Sequence, residues 1–271
     1  MTERGFVGRL IASVRIFVSG AWLSYVALFY WAIPGVYVGS KIITPLAYML
    51  FLVCLGMSAT GRDTAEFYIV GNALQLATFN GVFGVTWTVG RERSEGTLLY
   101  LIGSPANRLA IFLGRAFIHL LDGTLGVAIG LLWGMLLGLD MSRANLPGLA
   151  LTILITTLST CGLGLLMGGI GLTTVNIVAL SNLVFFLLLL FSGANLPLEK
   201  MPGWMRMISS RLPLTRGIQA ARLLVAGAPL ADVWPLLAGE LAVGLAYALA
   251  GFVFFRWFEF QARKRATLEP V

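Results

Sequence analysis

The chain alternates between long apolar stretches and short polar ones, and the length of the apolar stretches decides the fold class. Runs of 18 or more apolar residues recur along its 271 residues, and runs of that length read as membrane-crossing helices. They are continuous rather than alternating, which argues against the strands of a membrane β-barrel. Six spans are predicted, at about 35–60, 66–90, 110–139, 148–171, 176–195 and 233–256. Each is long enough to cross a hydrocarbon core of roughly 30 Å at about 1.5 Å per residue.

The first residues follow a different period. Val7, Leu10, Ile11, Val14, Phe17, Val18 and Ala21 recur at three- and four-residue spacing, with Arg4, Gly8, Ala12, Arg15 and Ser19 on the other side. This predicts an amphipathic helix lying in the membrane interface within residues 1–33. Arg15 interrupts the apolar stretch, so it does not read as a cleavable leader. Trp22, Tyr25, Tyr30 and Trp31 have the composition of a headgroup belt, and Pro34 breaks or bends the helix. Residues 196–232 hold two short helical patterns punctuated by Pro197, Pro202, Pro213 and Pro229. They predict re-entrant helices that dip into one leaflet without crossing. The expected fold is all-α, one polytopic membrane domain over residues 1–271.

Composition and charge set the orientation. The chain is 58% hydrophobic and 11% charged, with a mean hydropathy of +0.88. In such a chain a net charge of +7 reports orientation and contact with anionic lipid, not nucleic acid. An even number of spans puts both termini on one side. Arg4, Arg9 and Arg15 fall there, as do Arg91, Arg93, Arg108 and Arg115, and Arg256, Arg263, Lys264 and Arg265. That side is expected to be cytoplasmic. Lys200, Arg206, Arg211, Arg216 and Arg222 then lie outside, against the usual bias.

Absences narrow the chemistry. None of the three lysines, Lys41, Lys200 and Lys264, follows a glycine, so no GxxxxGK[ST] phosphate loop exists. The glycine-rich 164–174 lacks the lysine and sits in a span, where it reads as packing. His119 is the single histidine, which rules out histidine-cluster metal sites. Cys54 and Cys161 fall inside apolar spans and read as small apolar residues. The chain is expected to be no enzyme and to bind no metal or cofactor of its own.

Some polar residues fall inside the spans. Arg115, His119 and Asp122 occupy one face of the third span at i, i+4 and i+7. An acid in a span is costly unless it is paired or faces water, and local pairing with Arg115 and His119 is the simplest expectation. Glu240 has no obvious partner; it could line a pathway or cap a neighbouring helix. Gly126, Gly130, Gly134 and Gly138 make a smooth groove for a helix of this or another subunit. Asn72, Gln75, Asn80, Asn176, Ser181 and Asn182 read as ties between helices.

The most distinctive stretch is RERSEGTLLYLIGSPANRLAIFLGR, residues 91–115, where Arg91, Glu92, Arg93 and Glu95 crowd together between two spans. Such a cluster cannot sit in lipid, so it lies where a soluble partner can reach it. With FSGANLPLEKMPGWMRMISSRLPLTRGIQAAR at 191–222 and the amino-terminal helix, it makes the chain resemble the membrane permease subunits of type 2 ABC exporters. The resemblance covers essentially the whole chain. It implies that Arg91, Glu92, Arg93, Glu95, Gly96, Thr97, Leu98, Leu99, Leu101, Ser104 and Pro105 belong to a coupling helix within 91–109, seated in a groove of a separate ATPase. It implies that Phe191, Ser192, Gly193, Pro197, Pro202, Trp204 and Pro213 form an external gate, with 196–232 as its re-entrant helices. Two permeases, identical or homologous, would work with two ABC ATPase subunits carrying ATP and Mg, in a bacterial inner membrane. A stand-alone secondary transporter or channel using Asp122 and Glu240 is the alternative. It would need coupling acids or inverted repeats near the midplane. An assembly or sensing subunit is a third reading.

Overall fold

The computed structural model describes residues 3–30, 34–90, 96, 108–173 and 176–265, and the regular structure among them is helical throughout. Helix α1 (Glu3–Tyr30) runs further than the amphipathic pattern, through the aromatic belt. Helix α2 (Pro34–Thr60) starts at its proline, a residue whose fixed φ suits a first helical turn. A 3-10 turn, Arg62–Thr64, leads into α3 (Ala65–Gln75), a π-helical segment Phe79–Gly84 and α4 (Val85–Gly90). Then follow α5 (Arg108–Leu136), α6 (Leu146–Gly171) and α7 (Ile177–Phe191). After a 3-10 turn at Leu198–Lys200 come α8 (Gly203–Ser209), α9 (Thr215–Val225) and the long α10 (Leu230–Arg265).

Four helical stretches among the described residues are long and apolar enough to cross a membrane: Val38–Thr60, Ala110–Leu136, Leu146–Gly171 and Leu230–Gln261. The other two expected spans take different forms. Residues 66–90 form a helical path broken by the π segment. Helix α7 has 15 residues, about 22 Å at 1.5 Å per residue. It stops because Gly193 turns the chain with φ +83°, a left-handed conformation that glycine adopts without strain. Helix α5 likewise ends before Gly138, whose φ is +104°, so the last glycine of the four-residue stripe lies outside the helix.

Helix α6 is the centre of the bundle and packs on α10, α4, α9, α5 and the π segment. Its contact with α10 is backbone against backbone. A Cβ on Gly162 would overlap the Gly244 carbonyl, one on Gly244 would lie 2.5 Å from Ser159 Cα, and one on Gly251 would lie 2.7 Å from Leu166 N. The glycine stripe of α5 is filled from within the same chain: a Cβ on Gly130 or Gly134 would press into Leu76 or Ile69 at 2.5 Å. The 164–174 glycines also pack, Gly164 against Gly81 and Gly168 against Val89. Cys161 is buried in this core, whereas Cys54 is exposed on α2. Helix α1 lies along α5, with Phe17 and Phe117 rings 5.7 Å apart, and turns Ile11, Val14, Val18 and Trp22 outward.

The bundle has two distinct ends. At one, Gly90, Gly171 and Ile177 meet, over a core containing Val89, Phe112, Leu172 and Phe255. At the other, the Asn145 amide donates to Leu224 O at 2.9 Å and Arg222 Nη2 donates to Phe67 O at 3.0 Å. The chain between α4 and α5 therefore starts at the opposite end from residues 192–229. Helix α9 reaches well into the bundle from that second end: Gly217 lies directly against Thr156, ten residues along α6 from Leu146, or about 15 Å.

Candidate functional site

In the charged stretch, Arg91, Glu92, Arg93, Glu95, Thr97, Leu98, Leu99, Leu101, Ser104 and Pro105 lie outside the described residues, while Gly96 sits in a turn with φ +70°. The two other groups of expected site residues are well placed for inspection.

At the far end, the chain leaving α7 is stitched to α3. Phe191 is buried, its ring edge-on to exposed Trp204 at 6.1 Å. Ser192 Oγ donates to Gln75 Oε1 at 3.3 Å, and Asn72 Nδ2 donates to Asn195 Oδ1 at 2.9 Å. These bonds tie the polar residues of α3 to the chain that follows α7, while Asn72 Oδ1, Gln75 Nε2 and Asn195 Nδ2 are buried with no partner among the described residues. Arg222 closes the group. Its Nη2 donates to the carbonyls of Phe67, Gly193 and Ala194 at 3.0, 3.0 and 3.1 Å. Its guanidinium lies 3.5 Å from the centre of the Phe67 ring, an attractive arrangement for a cation over a π face. Pro197 precedes the Leu198–Lys200 turn and Pro202 precedes α8. Buried Pro213 leads into Leu214, a non-glycine residue at φ +81°.

Glu240 holds that strained corner. Its Oε1 accepts from the Leu214 amide, and its Oε2 accepts from the amides of Arg216 at 3.1 Å and Gly217 at 3.2 Å. The carboxylate is fully buried and caps α9 from another helix, which resolves the two sequence readings in favour of the cap. The first amides of a helix have no partner within it, and an anion there also suits the helix dipole. The Glu240 carbonyl in turn accepts from Ser159 Oγ at 3.1 Å.

The second polar group lies toward the other half of the bundle, where Lys41 of α2, a cation from another helix, pairs with Asp122. Lys41 Nζ also donates to Asn80 Oδ1 at 3.2 Å, and Asn80 belongs to the π segment. The wider turn of such a segment re-aims side chains and recurs at functional sites. Arg115 and His119 also reach α4. Arg115 Nη1 donates to Thr88 O at 3.4 Å, and His119 Nε2 pairs with Thr88 Oγ1 at 2.7 Å. Because Thr88 Oγ1 donates to Gly84 O at 2.8 Å, its hydroxyl proton is committed and Nε2 is the donor of the pair. Lys41, Thr88 and Arg222 were not singled out by sequence. Lys41 was named there only among the three lysines and Arg222 only among the cations of 196–232.

Comparison with known proteins agrees with this architecture. The ABC-2 type transporter family profile matches residues 18–225, well over half of the chain, and the chain belongs to that family. It is an ABC-2 type membrane permease, a multi-pass membrane protein. It is 28% identical over 194 residues to the "Probable multidrug ABC transporter permease YbhR" of Escherichia coli (strain K12), a match covering 70% of this chain and 52% of the relative. It is 25% identical over 204 residues to the "Probable doxorubicin resistance ABC transporter permease protein DrrC" of Mycobacterium tuberculosis (strain CDC 1551 / Oshkosh), covering 73% and 74%. The chain thus spans about half the length of the first relative and about three quarters of the second.

Proposed function

We propose that this chain forms the translocation path of an ATP-driven exporter. Two permeases, identical or homologous, would be driven by two ABC ATPase subunits that carry ATP and Mg. In this reading α3 to α4 and α7 complete six crossings, both termini are cytoplasmic in a bacterial inner membrane, and 196–232 are external re-entrant helices. The observation that carries it is the asymmetry of the ends. Gly90, the residue just before the charge cluster in sequence, lies at the end opposite to α9 and its buried Glu240 cap. A charged segment at one end and a packed plug at the other suit a machine gripped from one side and gated at the other.

Arg91, Glu92, Arg93 and Glu95 would convey ATPase motion by charge pairing, with Leu98, Leu99 and Leu101 supplying apolar contact. The stand-alone transporter reading loses support from Glu240, whose oxygens are occupied by backbone amides. The names of the relatives make amphipathic drugs the first cargoes to try. The test is a tagged chain purified with its ATPase. Glu92→Arg and Glu95→Arg should insert normally but lose ATPase association and transport. Wild-type levels of both in the two reversals would sink the coupling assignment.

A further inference from the structure

Three of the five cations that violate the charge bias line two adjoining cavities. Residues 196–232 hold Lys200, Arg206, Arg211, Arg216 and Arg222 against the acids Glu199 and Asp232. Two adjoining cavities, of about 510 and 250 Å³, open beside α9 and share Leu198, Gln219 and Leu236 as their common wall. The larger is lined by Arg222 and Glu199, and its arginine is already engaged by three carbonyls. The smaller differs. Arg206, Thr215 and Arg216 line it together with Ser209 and Ser210.

Two polar atoms of residues lining that smaller cavity, Thr215 Oγ1 and Arg216 Nη1, are buried and have no hydrogen-bond partner among the described residues. Buried donors are rarely left unsatisfied, because each lost bond carries a desolvation penalty. The neighbouring groups do not satisfy them. Ser209 and Ser210 donate their own hydroxyls to Met205 O at 3.0 Å and Met207 O at 2.9 Å. Glu240 accepts from the backbone amides of Leu214, Arg216 and Gly217, and neither Arg216 Nη1 nor Thr215 Oγ1 donates to it. The cavity is lined by two arginines, Thr215 and Gln219, with no carboxylate among its lining residues, and the two unpartnered atoms lie just beneath that lining. A tetrahedral oxyanion has acceptors enough for all of them, and arginine forks match its oxygens. Leu198 and Leu236 beside it suit an attached apolar group.

We propose that the Arg206–Thr215–Arg216 pocket binds a phosphate group, carried by an amphiphile or free. Its place in an export cycle rests on the function proposed above, but binding does not, so it is measured on the full chain without an ATPase. The probes are dihexanoyl phosphatidic acid, dihexanoylglycerol and inorganic phosphate, titrated by calorimetry into protein in neutral detergent. Phosphatidic acid should bind and dihexanoylglycerol should not. Arg206 is exposed, so Arg206→Gln should leave the melting temperature unchanged while weakening phosphatidic acid about tenfold, and Thr215→Val about fivefold. Phosphatidic acid binding much more tightly than inorganic phosphate assigns the pocket to a lipid-like head group; equal affinity assigns it to the free anion. Absence of binding by both phosphate probes, or unchanged affinity in both variants, would overturn the proposal.

Discussion

Asp122 and Glu240 are both acids buried in an apolar bundle, yet they are stabilised in different ways. Glu240 is matched by three backbone amides whose positions are fixed by the α9 turn. Asp122 is matched by Lys41, a side chain on a flexible stem from a different helix, with Asn80 of the π segment alongside. Helix α2, which supplies that lysine, exposes much of its surface, including Val36, Ile43, Phe51 and Leu55. The first acid fastens a segment into the bundle; the second joins two helices through a contact that can part without unfolding either. A carboxylate in a membrane segment therefore has to be read by the rigidity of its partners as well as by its charge.

The comparison can be broken most severely at Glu240. Glu240→Leu leaves three amides of the α9 corner without acceptors, at about 1–3 kcal/mol each. The expected outcome is little purifiable protein, and Glu240→Gln, which keeps one acceptor oxygen, should fall between. A melting temperature at the wild-type value in Glu240→Leu would remove the fastener role. At the other site, Lys41→Met and Asp122→Leu should each destabilise by about 3 kcal/mol, because each strands one buried charge. The double variant should cost less than either single one, and simple additivity in that cycle would argue against the pair. Asp122→Asn should fold with mild loss and keep transport. Well-folded Asp122→Asn without transport would move the pair into the pathway and bring the secondary-transporter reading back.

Smaller effects sharpen the contrast. Arg222→Met removes the contacts to three carbonyls and to Phe67, and should lower stability by about 2 kcal/mol, read as earlier proteolysis of the 192–229 segment. Thr88→Val removes the partner of His119 and should cost about 1 kcal/mol, with a melting curve otherwise like wild type.

The helices and the all-α class follow from run length and period, and the interhelical roles of Asn72, Gln75 and Asn80 from their isolation in apolar surroundings. The partners of the two acids do not. Spacing on one helix brought Arg115 and His119 next to Asp122, but it carries no information about Lys41, 81 residues away on another helix. The Glu240 cap was legible as one of two options only, because its partners are main-chain amides and main chain leaves no mark in a sequence. The break of 66–90 into a π segment was hidden too, since one asparagine and two glycines in FNGVFG do not mark a change of helical pitch. The arginines of 196–232 stood out in the sequence as an anomaly of charge, and it took the fold to bring Arg206 and Arg216 to one cavity.

The glycine contacts between α6 and α10 have a mechanical consequence. Where backbones touch, as at Gly162 and Gly244, there are no side chains to repack and little slack to take up. Two helices joined in this way move as one piece, so this pair is the stator against which the rest of the bundle shifts. Spin labels on the outer faces of α6 and α10 should keep a constant separation through a transport cycle. Labels spanning α2 and α5, joined by the Lys41–Asp122 pair and by side-chain packing such as Met49 beside Gly130, are where a change in distance should appear.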